Sequence, residues 1–389
     1  MKKIAFIHGS LITGGAEKAL INLLHFIDYD QYDVTLWLRD NQGELYPQVD
    51  SRVKIQFWDG FLNQDYSQRL KQLLREGRVL SIAYSIVCRS LSKLFVKNWY
   101  LNYKYHLKSL CFADWTKYDA AIAYQSLRID DILFLSYGIR AKKKMGWIHG
   151  KVSHDRSNPS HETFFREYPK LNHIFCVSEA SKELFLDRYP ALSGKTSVMY
   201  NLQDFDTIRT LADEKVDEEF DQNTIVTVGR ISSEKGQDMI PAIAENLRSR
   251  GYRFVWYVIG DGPKREVLEH LIMEKDLSET VILLGQKDNP YPYMKKCGVY
   301  VQPSYTEGFC LSTFEAKSLR TPIVVTDVSG MREQFSQDEA YFCEPDVESL
   351  TRAIEKALAA EYADRHVPSE IPIDFNQREL KKLYDSFEG

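Results

Sequence analysis

Short apolar runs rich in β-branched residues alternate with helix-like segments along this chain, and the alternation is played out twice. Strands separated by helices pair in parallel and are covered by helices on both faces, so the pattern predicts an α/β protein. In the first half, residues 3–8, 33–38, 120–124, 145–149 and 174–177 read as strands, and 16–26 and 180–186 as helices, the latter opened by Ser178 as N-cap. In the second half, 224–228, 254–259, 281–284, 299–302 and 322–326 read as strands, and 239–248, 263–275, 291–296, 314–319 and 348–360 as helices. The expectation is two Rossmann-like units in tandem, 1–201 and 202–372, joined near 201–204 ahead of an acidic stretch, 212–222, read as solvated surface. The tail, 373–389, sets Leu380, Leu383, Tyr384 and Phe387 at helical spacing and reads as an amphipathic helix.

A length of 389 residues suits two cores, and 44% hydrophobic with 27% charged residues excludes disorder, collagen and coiled coil. Six cysteines, with no CxxC pair and no metal-ligand spacing to histidine, point to a reducing compartment and ordinary thiols. The opening 1–7 imitates a signal peptide, but His8 and the glycines beyond it cut the apolar run short, so it reads as a buried strand. No apolar stretch approaches the ~18–20 residues needed to span a bilayer, the nearest being 79–88, and the chain is expected not to cross a membrane. The net charge of −5 is unevenly spread. From Arg69 to Phe112 nine basic residues (Arg69, Lys71, Arg75, Arg78, Arg89, Lys93, Lys97, Lys104 and Lys108) face one acid, Glu76, a local charge of +8 beside a remainder of −13.

Open α/β sheets bind ligands outside the carboxyl ends of their strands, and four motifs sit there. Thr13-Gly14-Gly15-Ala16-Glu17-Lys18 lies between a strand and a helix, where glycine lets the backbone approach a phosphate and the helix start attracts it; a tight turn is the plainer reading. In Val228-Gly229-Arg230-Ile231-Ser232-Ser233-Glu234-Lys235-Gly236, Arg230 and Lys235 can converge on a diphosphate as a fork and a point charge, or stand as two solvated cations. Val258-Ile259-Gly260-Asp261-Gly262-Pro263 is a turn to which no chemistry is assigned. The most specific is Pro303-Ser304-Tyr305-Thr306-Glu307-Gly308-Phe309-Cys310-Leu311-Ser312-Thr313-Phe314-Glu315-Ala316. If its helix starts near Ser312, Glu315 sits in the first turn and Glu307 on the loop before it, so that both carboxylates and the N–H groups of 308–311 can face one ligand. Two unrelated surface glutamates are the alternative.

These motifs, in this order and spacing, resemble family 4 retaining glycosyltransferases of the GT-B fold, of the bacterial type that builds capsular or exopolysaccharide or teichoic acid. The resemblance covers the chain except about 42–115 and implies two Rossmann-like domains facing each other across a cleft. It implies an acceptor-binding domain at 1–201, a nucleotide-sugar domain at 202–372 and a terminal helix crossing back to the first domain. It also implies that Arg230 and Lys235, with Gly229, bind the donor diphosphate and that Glu315 holds the ribose. Glu307, with the backbone of Gly308, Phe309, Cys310 and Leu311, would hold the transferred sugar. Gly14 and Gly15 would lie against the phosphates, Gly285-Gln286 would take the base, and His149 matches a cleft histidine that contacts the donor sugar. The plainer reading of His149 is structural. Cys310 stands where many members have glycine, and Arg320-Thr321-Pro322 replaces a glycine-containing turn.

The expected reaction is transfer of a hexose or N-acetylhexosamine from a nucleotide sugar, UDP-linked, to a lipid-linked or glycan acceptor, with a diacylglycerol-type glycolipid as a second acceptor class. No cofactor and no metal are expected, and Asp130-Asp131, which is not a DxD motif, reads as surface. Apolar and aromatic residues interleave with the basic side chains of 69–112, which suggests helices lying on an anionic membrane, hence a cytoplasmic enzyme peripheral on the inner face of the cell membrane. Ordinary helices with a wet basic face are the alternative. Nucleic acid is not an expected partner. Competing classes are a nicotinamide-dependent dehydrogenase, a GT-B-like nucleotide-sugar isomerase and a catalytically silent partner subunit.

Overall fold

A computed structural model describes residues 1–12, 14–58, 66–75, 79–110, 117–150, 160–360 and 365–388. Thr13 of the first glycine motif, and Glu76, Arg78 and Phe112 of the basic segment, lie outside them. The chain divides into two compact units, one of Met1–Val177, Ser181–Leu202 and Gln377–Gly389, the other of Ser178–Ala180 and Gln203–Asn376.

The first unit runs β1 (Lys2–His8), α1 (Gly15–Phe26), β2 (Tyr32–Leu38), β3 (Lys54–Phe57), α2 (Tyr66–Arg75), α3 (Val79–Leu94), α4 (Trp99–Leu110), β4 (Lys117–Ala123), α5 (Ile129–Leu133), β5 (Arg140–Ile148), α6 (Ser160–Glu167), β6 (His173–Cys176), α7 (Glu179–Arg188) and β7 (Thr196–Val198). Its seven strands lie in the order β3-β2-β1-β4-β5-β6-β7, all parallel. Ile4, Ala5, Phe6 and Ile7 are all fully buried, as a central parallel strand covered on both faces must be. The order reverses between β1 and β4, so the crevice of this unit opens at their carboxyl ends.

The second unit runs α8 (Phe205–Leu211), β8 (Thr224–Val228), α9 (Ile240–Ser249), β9 (Val255–Ile259), α10 (Arg265–Glu274), β10 (Val281–Gly285), α11 (Tyr291–Lys296), β11 (Val299–Gln302), α12 (Leu311–Ser318), β12 (Ile323–Thr326), β13 (Tyr341–Cys343) and α13 (Val347–Ala359), before α14 (Phe375–Glu388). Its six parallel strands follow β10-β9-β8-β11-β12-β13, with the reversal between β8 and β11. From Gln377 on, α14 belongs to the first unit, where Tyr384 stacks on Tyr32 with ring centroids 4.8 Å apart and its hydroxyl accepts the Asp28 N–H at 3.0 Å.

Three short strands escape the sequence pattern. β3 alternates exposed and half-buried residues at a sheet edge, β7 has three residues, and β13 is a three-residue edge strand with no fully buried member. Helix α12 begins at Leu311, so Glu315 lies one residue beyond the first turn rather than within it. Asp131 is not a surface residue: it sits fully buried in α5, whose Ile132 and Leu133 pack into the core and draw it inward, while Asp130 stays partly exposed. The five described cysteines are free thiols, four of them buried.

The basic segment forms α2, α3 and α4, and α3 is turned inside out. Ser81, Ser85, Cys88 and Ser92 are its buried residues, and the Ser85 hydroxyl donates to Ser109 O on α4 at 2.9 Å. Leu80, Val87 and Leu94, seven residues apart and hence on one stripe, are 87%, 56% and 75% exposed.

Candidate functional site

In the second unit the loops after β8 and β11 meet at the sheet's reversal point. Gly236 takes a left-handed φ of 68°, and a Cβ there would collide with Pro303 O, so glycine is what lets the Lys235 loop press against the β11 loop. The Tyr305 N–H donates to Glu234 O at 2.9 Å and ties the same two loops. The Gly260–Gly262 turn, for which the sequence offered no chemistry, has a packing task. Ile231 N–H donates to Asp261 O at 2.9 Å, and Cβ atoms at Gly260 and Gly262 would run into Gly229 O and Ile231 O.

The centre of this arrangement is an ion pair. Lys235 Nζ donates to Glu307 Oε1 at 2.7 Å, and the Ser304 hydroxyl donates to the same oxygen at 2.7 Å. Behind them Gln302 Nε2 donates to Ser304 Oγ at 2.9 Å, while Gln302 Oε1 accepts from Tyr300 OH at 2.9 Å and from Ser312 Oγ at 3.2 Å. Burial works against the Lys235 ammonium, but the Glu307 carboxylate and the hydrogen bond to it outweigh it, so the lysine is held above its ordinary value and stays charged. Burial and Glu307 push the Cys310 thiol up, which keeps it neutral beside the pair. The Tyr300–Gln302–Ser304 ladder was not singled out from sequence. Its signal is there: polar groups at every second position of an otherwise apolar strand point to one face.

Glu315 is buried on α12, with the Tyr291 hydroxyl 3.5 Å from its Oε1. Burial, then the Glu315 charge, raises the Tyr291 phenol above its ordinary value. Arg230 is exposed, and its carbonyl accepts Gln237 Nε2 at 3.0 Å. Gly285 ends β10 with a left-handed φ of 70°, its carbonyl accepting Gly260 N–H at 2.8 Å, and Gln286 follows. Gly308 O packs against Gly330, Phe309 meets Phe314 edge-on at 5.2 Å, and Cys310 caps α12 with Leu311 as its first residue.

The remaining named residues belong to the first unit. Gly14 is the N-cap of α1 and Gly15 its first residue; a Cβ on Gly14 would strike the Glu17 carboxylate, which shares a hydrogen bond with His8 Nε2 at 3.0 Å. His149 follows β5 and lies 4.3 Å from the Tyr124 ring. Burial, and after it the neighbouring His8, pushes its pKa down to about 3, so the ring is neutral. Among the described residues, no group of three or more His, Cys, Asp or Glu is placed to hold a metal ion, and no helix is long and apolar enough to cross a membrane.

Residues 209–371, within the second unit, match the family described as Glycosyl transferases group 1. The chain carries a glycosyl transferases group 1 domain. Proteins similar to this chain include the N-acetylgalactosamine-N,N'-diacetylbacillosaminyl-diphospho-undecaprenol 4-alpha-N-acetylgalactosaminyltransferase of Campylobacter jejuni, 31% identical over 44% of this chain and 46% of that protein. A component of the Homo sapiens phosphatidylinositol N-acetylglucosaminyltransferase is 32% identical over 48% of this chain and 38% of its own. This chain spans less than half the length of these relatives. Among solved structures, Anabaena HepE in complex with UDP and glucose is 15% identical and aligns over 99% of this chain and 100% of its own with a TM-score of 0.68. That likeness is one of fold, and the fold is GT-B. The Lys235–Glu307 pair and the loops that carry it all lie inside the group 1 domain.

Proposed function

We propose that this chain is a retaining family 4 glycosyltransferase that moves a hexose or N-acetylhexosamine from a UDP-sugar to a hydroxyl of a lipid-linked or glycan acceptor in cell-surface polysaccharide synthesis. The observation that carries the reading is the Lys235–Glu307 pair at the reversal point of the second sheet, inside the group 1 domain. The named activities of the Campylobacter and human relatives support an N-acetylhexosamine and a lipid-borne acceptor, and the UDP and glucose held by HepE support the donor class.

In this reading Lys235 and Arg230 bind the donor diphosphate, Glu315 the ribose, and Gly285-Gln286 the base. Glu307 and the backbone of 308–311 hold the sugar, and His149 contacts it as a neutral hydrogen-bonding group. The C1–O bond to the diphosphate breaks while a C1–O bond to the acceptor hydroxyl forms on the same face, and the hydroxyl proton passes to the departing diphosphate. No enzymic nucleophile takes part. Lys235 and Arg230 neutralise the charge that develops on the leaving group, so no metal and no cofactor is required. Positioning supplies the rest of the barrier lowering.

The exposed apolar stripe of α3, with Arg89, Lys93 and Lys97 near it in the chain, supports a peripheral site on an anionic, cytoplasmic membrane face. The purified chain should be stabilised against heat by UDP or a UDP-sugar and not by NAD, and the best donor should then yield product with a lipid-linked acceptor. Protection by NAD alone would overturn the assignment.

A further inference from the structure

From the end of β11 a run of hydrogen bonds leads to Glu307, and every donor in it points the same way. Tyr300, Gln302 and Ser304 are fully buried. The Tyr300 hydroxyl donates to Gln302 Oε1 at 2.9 Å, and the Ser312 hydroxyl, from α12, donates to the same oxygen at 3.2 Å. With its amide oxygen taken by two hydroxyls, Gln302 is held in one orientation, and its Nε2 donates to Ser304 Oγ at 2.9 Å. A serine hydroxyl has one proton. Because Ser304 Oγ turns a lone pair to Gln302, that proton goes to Glu307 Oε1, 2.7 Å away. The Thr326 hydroxyl, at the end of β12, donates to Ser304 O at 2.6 Å and pins its backbone from the neighbouring strand.

This relay divides the two oxygens of one carboxylate. Oε1 takes both the Ser304 proton and one from the Lys235 ammonium, each at 2.7 Å. Oε2 has no hydrogen-bond partner among the described residues, on a side chain that keeps 7% of its surface exposed beside a lysine that keeps 22%. The terminal torsion of a glutamate is soft, so an unrestrained carboxylate offers a ligand either oxygen or both. Here two donors on Oε1, one of them aimed by a fully buried and satisfied network, stop that turn. What is left is one acceptor in one direction, matched to a single hydroxyl rather than to an adjacent pair. Epimeric sugars differ in the direction of one hydroxyl, and a site built to hydrogen-bond one hydroxyl discriminates against a ligand that cannot supply it.

We propose that Gln302 and Ser304 are positioning residues that hold the Glu307 carboxylate with Oε2 alone open to the donor sugar, so that the site reads the direction of a single sugar hydroxyl and separates epimers. This rests on the glycosyltransferase reading, in which Glu307 holds the sugar, and names the residues that set which sugar is taken.

The test uses the full chain, with affinities read by calorimetry for UDP and for two epimer pairs, UDP-glucose with UDP-galactose and UDP-N-acetylglucosamine with UDP-N-acetylgalactosamine. Wild-type protein favours one member of a pair at least fivefold. Ser304→Ala, which frees the carboxylate to turn, brings that preference below twofold while UDP affinity stays within twofold of wild type. Gln302→Met keeps the Ser304 hydroxyl but no longer aims it, and at least halves the preference. Should Ser304→Ala not fold, Gln302→Met alone decides. An unchanged preference in the folded variants, a loss of UDP affinity as large as the loss for the favoured UDP-sugar, or a wild-type chain that binds epimers alike overturns the proposal and leaves the glycosyltransferase reading standing. A wild-type chain that binds none of the four UDP-sugars overturns the donor reading instead.

Discussion

Arg320 holds a φ of 58°, a left-handed conformation that costs a residue with a Cβ about 1–2 kcal/mol, at the turn where the resembling family has glycine. Its guanidinium reaches Glu370 at 3.3 Å on an exposed surface, which offsets little of that cost. Arg320→Gly should therefore raise the unfolding free energy by about 1 kcal/mol, read by urea titration; a destabilised variant would show that the arginine is held for its contacts. Asp131 has a different signature. Burial, against the pull of His8 and Arg128, raises its pKa from 3.8 to about 6. A raised folded-state value favours folding below pH 3.8, and the advantage is lost as the pH climbs through 6. Asp131→Asn should thus gain stability over wild type across that window, by up to about 3 kcal/mol above it. A pH-independent difference between the two proteins would contradict the burial. The two were not equally legible in the sequence. The turn at 320–322 stood out because glycine was missing, whereas Asp131 looked like half of an exposed acidic pair, and only the inward packing of its neighbours Ile132 and Leu133 places it in the core.

Helix α3 shows what periodicity leaves open. The sequence reveals apolar and basic residues mixed through 69–112, but an amphipathic helix is ordinarily packed by its apolar side. Here serines and a cysteine face α4, because small side chains let two helices approach and the Ser85 hydroxyl finds a carbonyl across the contact. The triple variant Leu80→Ser, Val87→Ser and Leu94→Ser should leave thermal stability nearly unchanged, since the side chains it shortens are exposed, yet reduce co-sedimentation with anionic vesicles severalfold. Retained binding would move the membrane contact elsewhere. The buried inner strands, β1, β8 and β11 among them, were readable within a residue or two, because burial on both faces makes them largely apolar runs. β3, β7 and β13 were not, because edge strands of three or four residues carry too little pattern to stand out from loops. In the loops the spacing of Glu307 and Glu315 pointed to one ligand-binding stretch. It could not reveal that Glu307 is engaged by Lys235, which a 72-residue separation hides.

The whole molecule is two parallel sheets, each with a reversal point dressed in polar side chains, and the two are furnished differently. The second unit offers a cation–carboxylate pair backed by a hydrogen-bonded ladder, suited to an anionic donor. The first holds buried polar atoms of His8, Asp131 and His149 without hydrogen-bond partners among the described residues. That division of labour was legible as two repeats of one pattern, but their chemical difference emerged only from which polar groups are satisfied. The account stands or falls on Lys235, and the direct measurement is sugar transfer from the best UDP-sugar by purified wild-type and Lys235→Ala protein, with folding checked by circular dichroism. The predicted loss in kcat/KM is about 100- to 1000-fold, or about 2–4 kcal/mol of transition-state stabilisation. A folded Lys235→Ala protein that transfers sugar at close to the wild-type rate would contradict it.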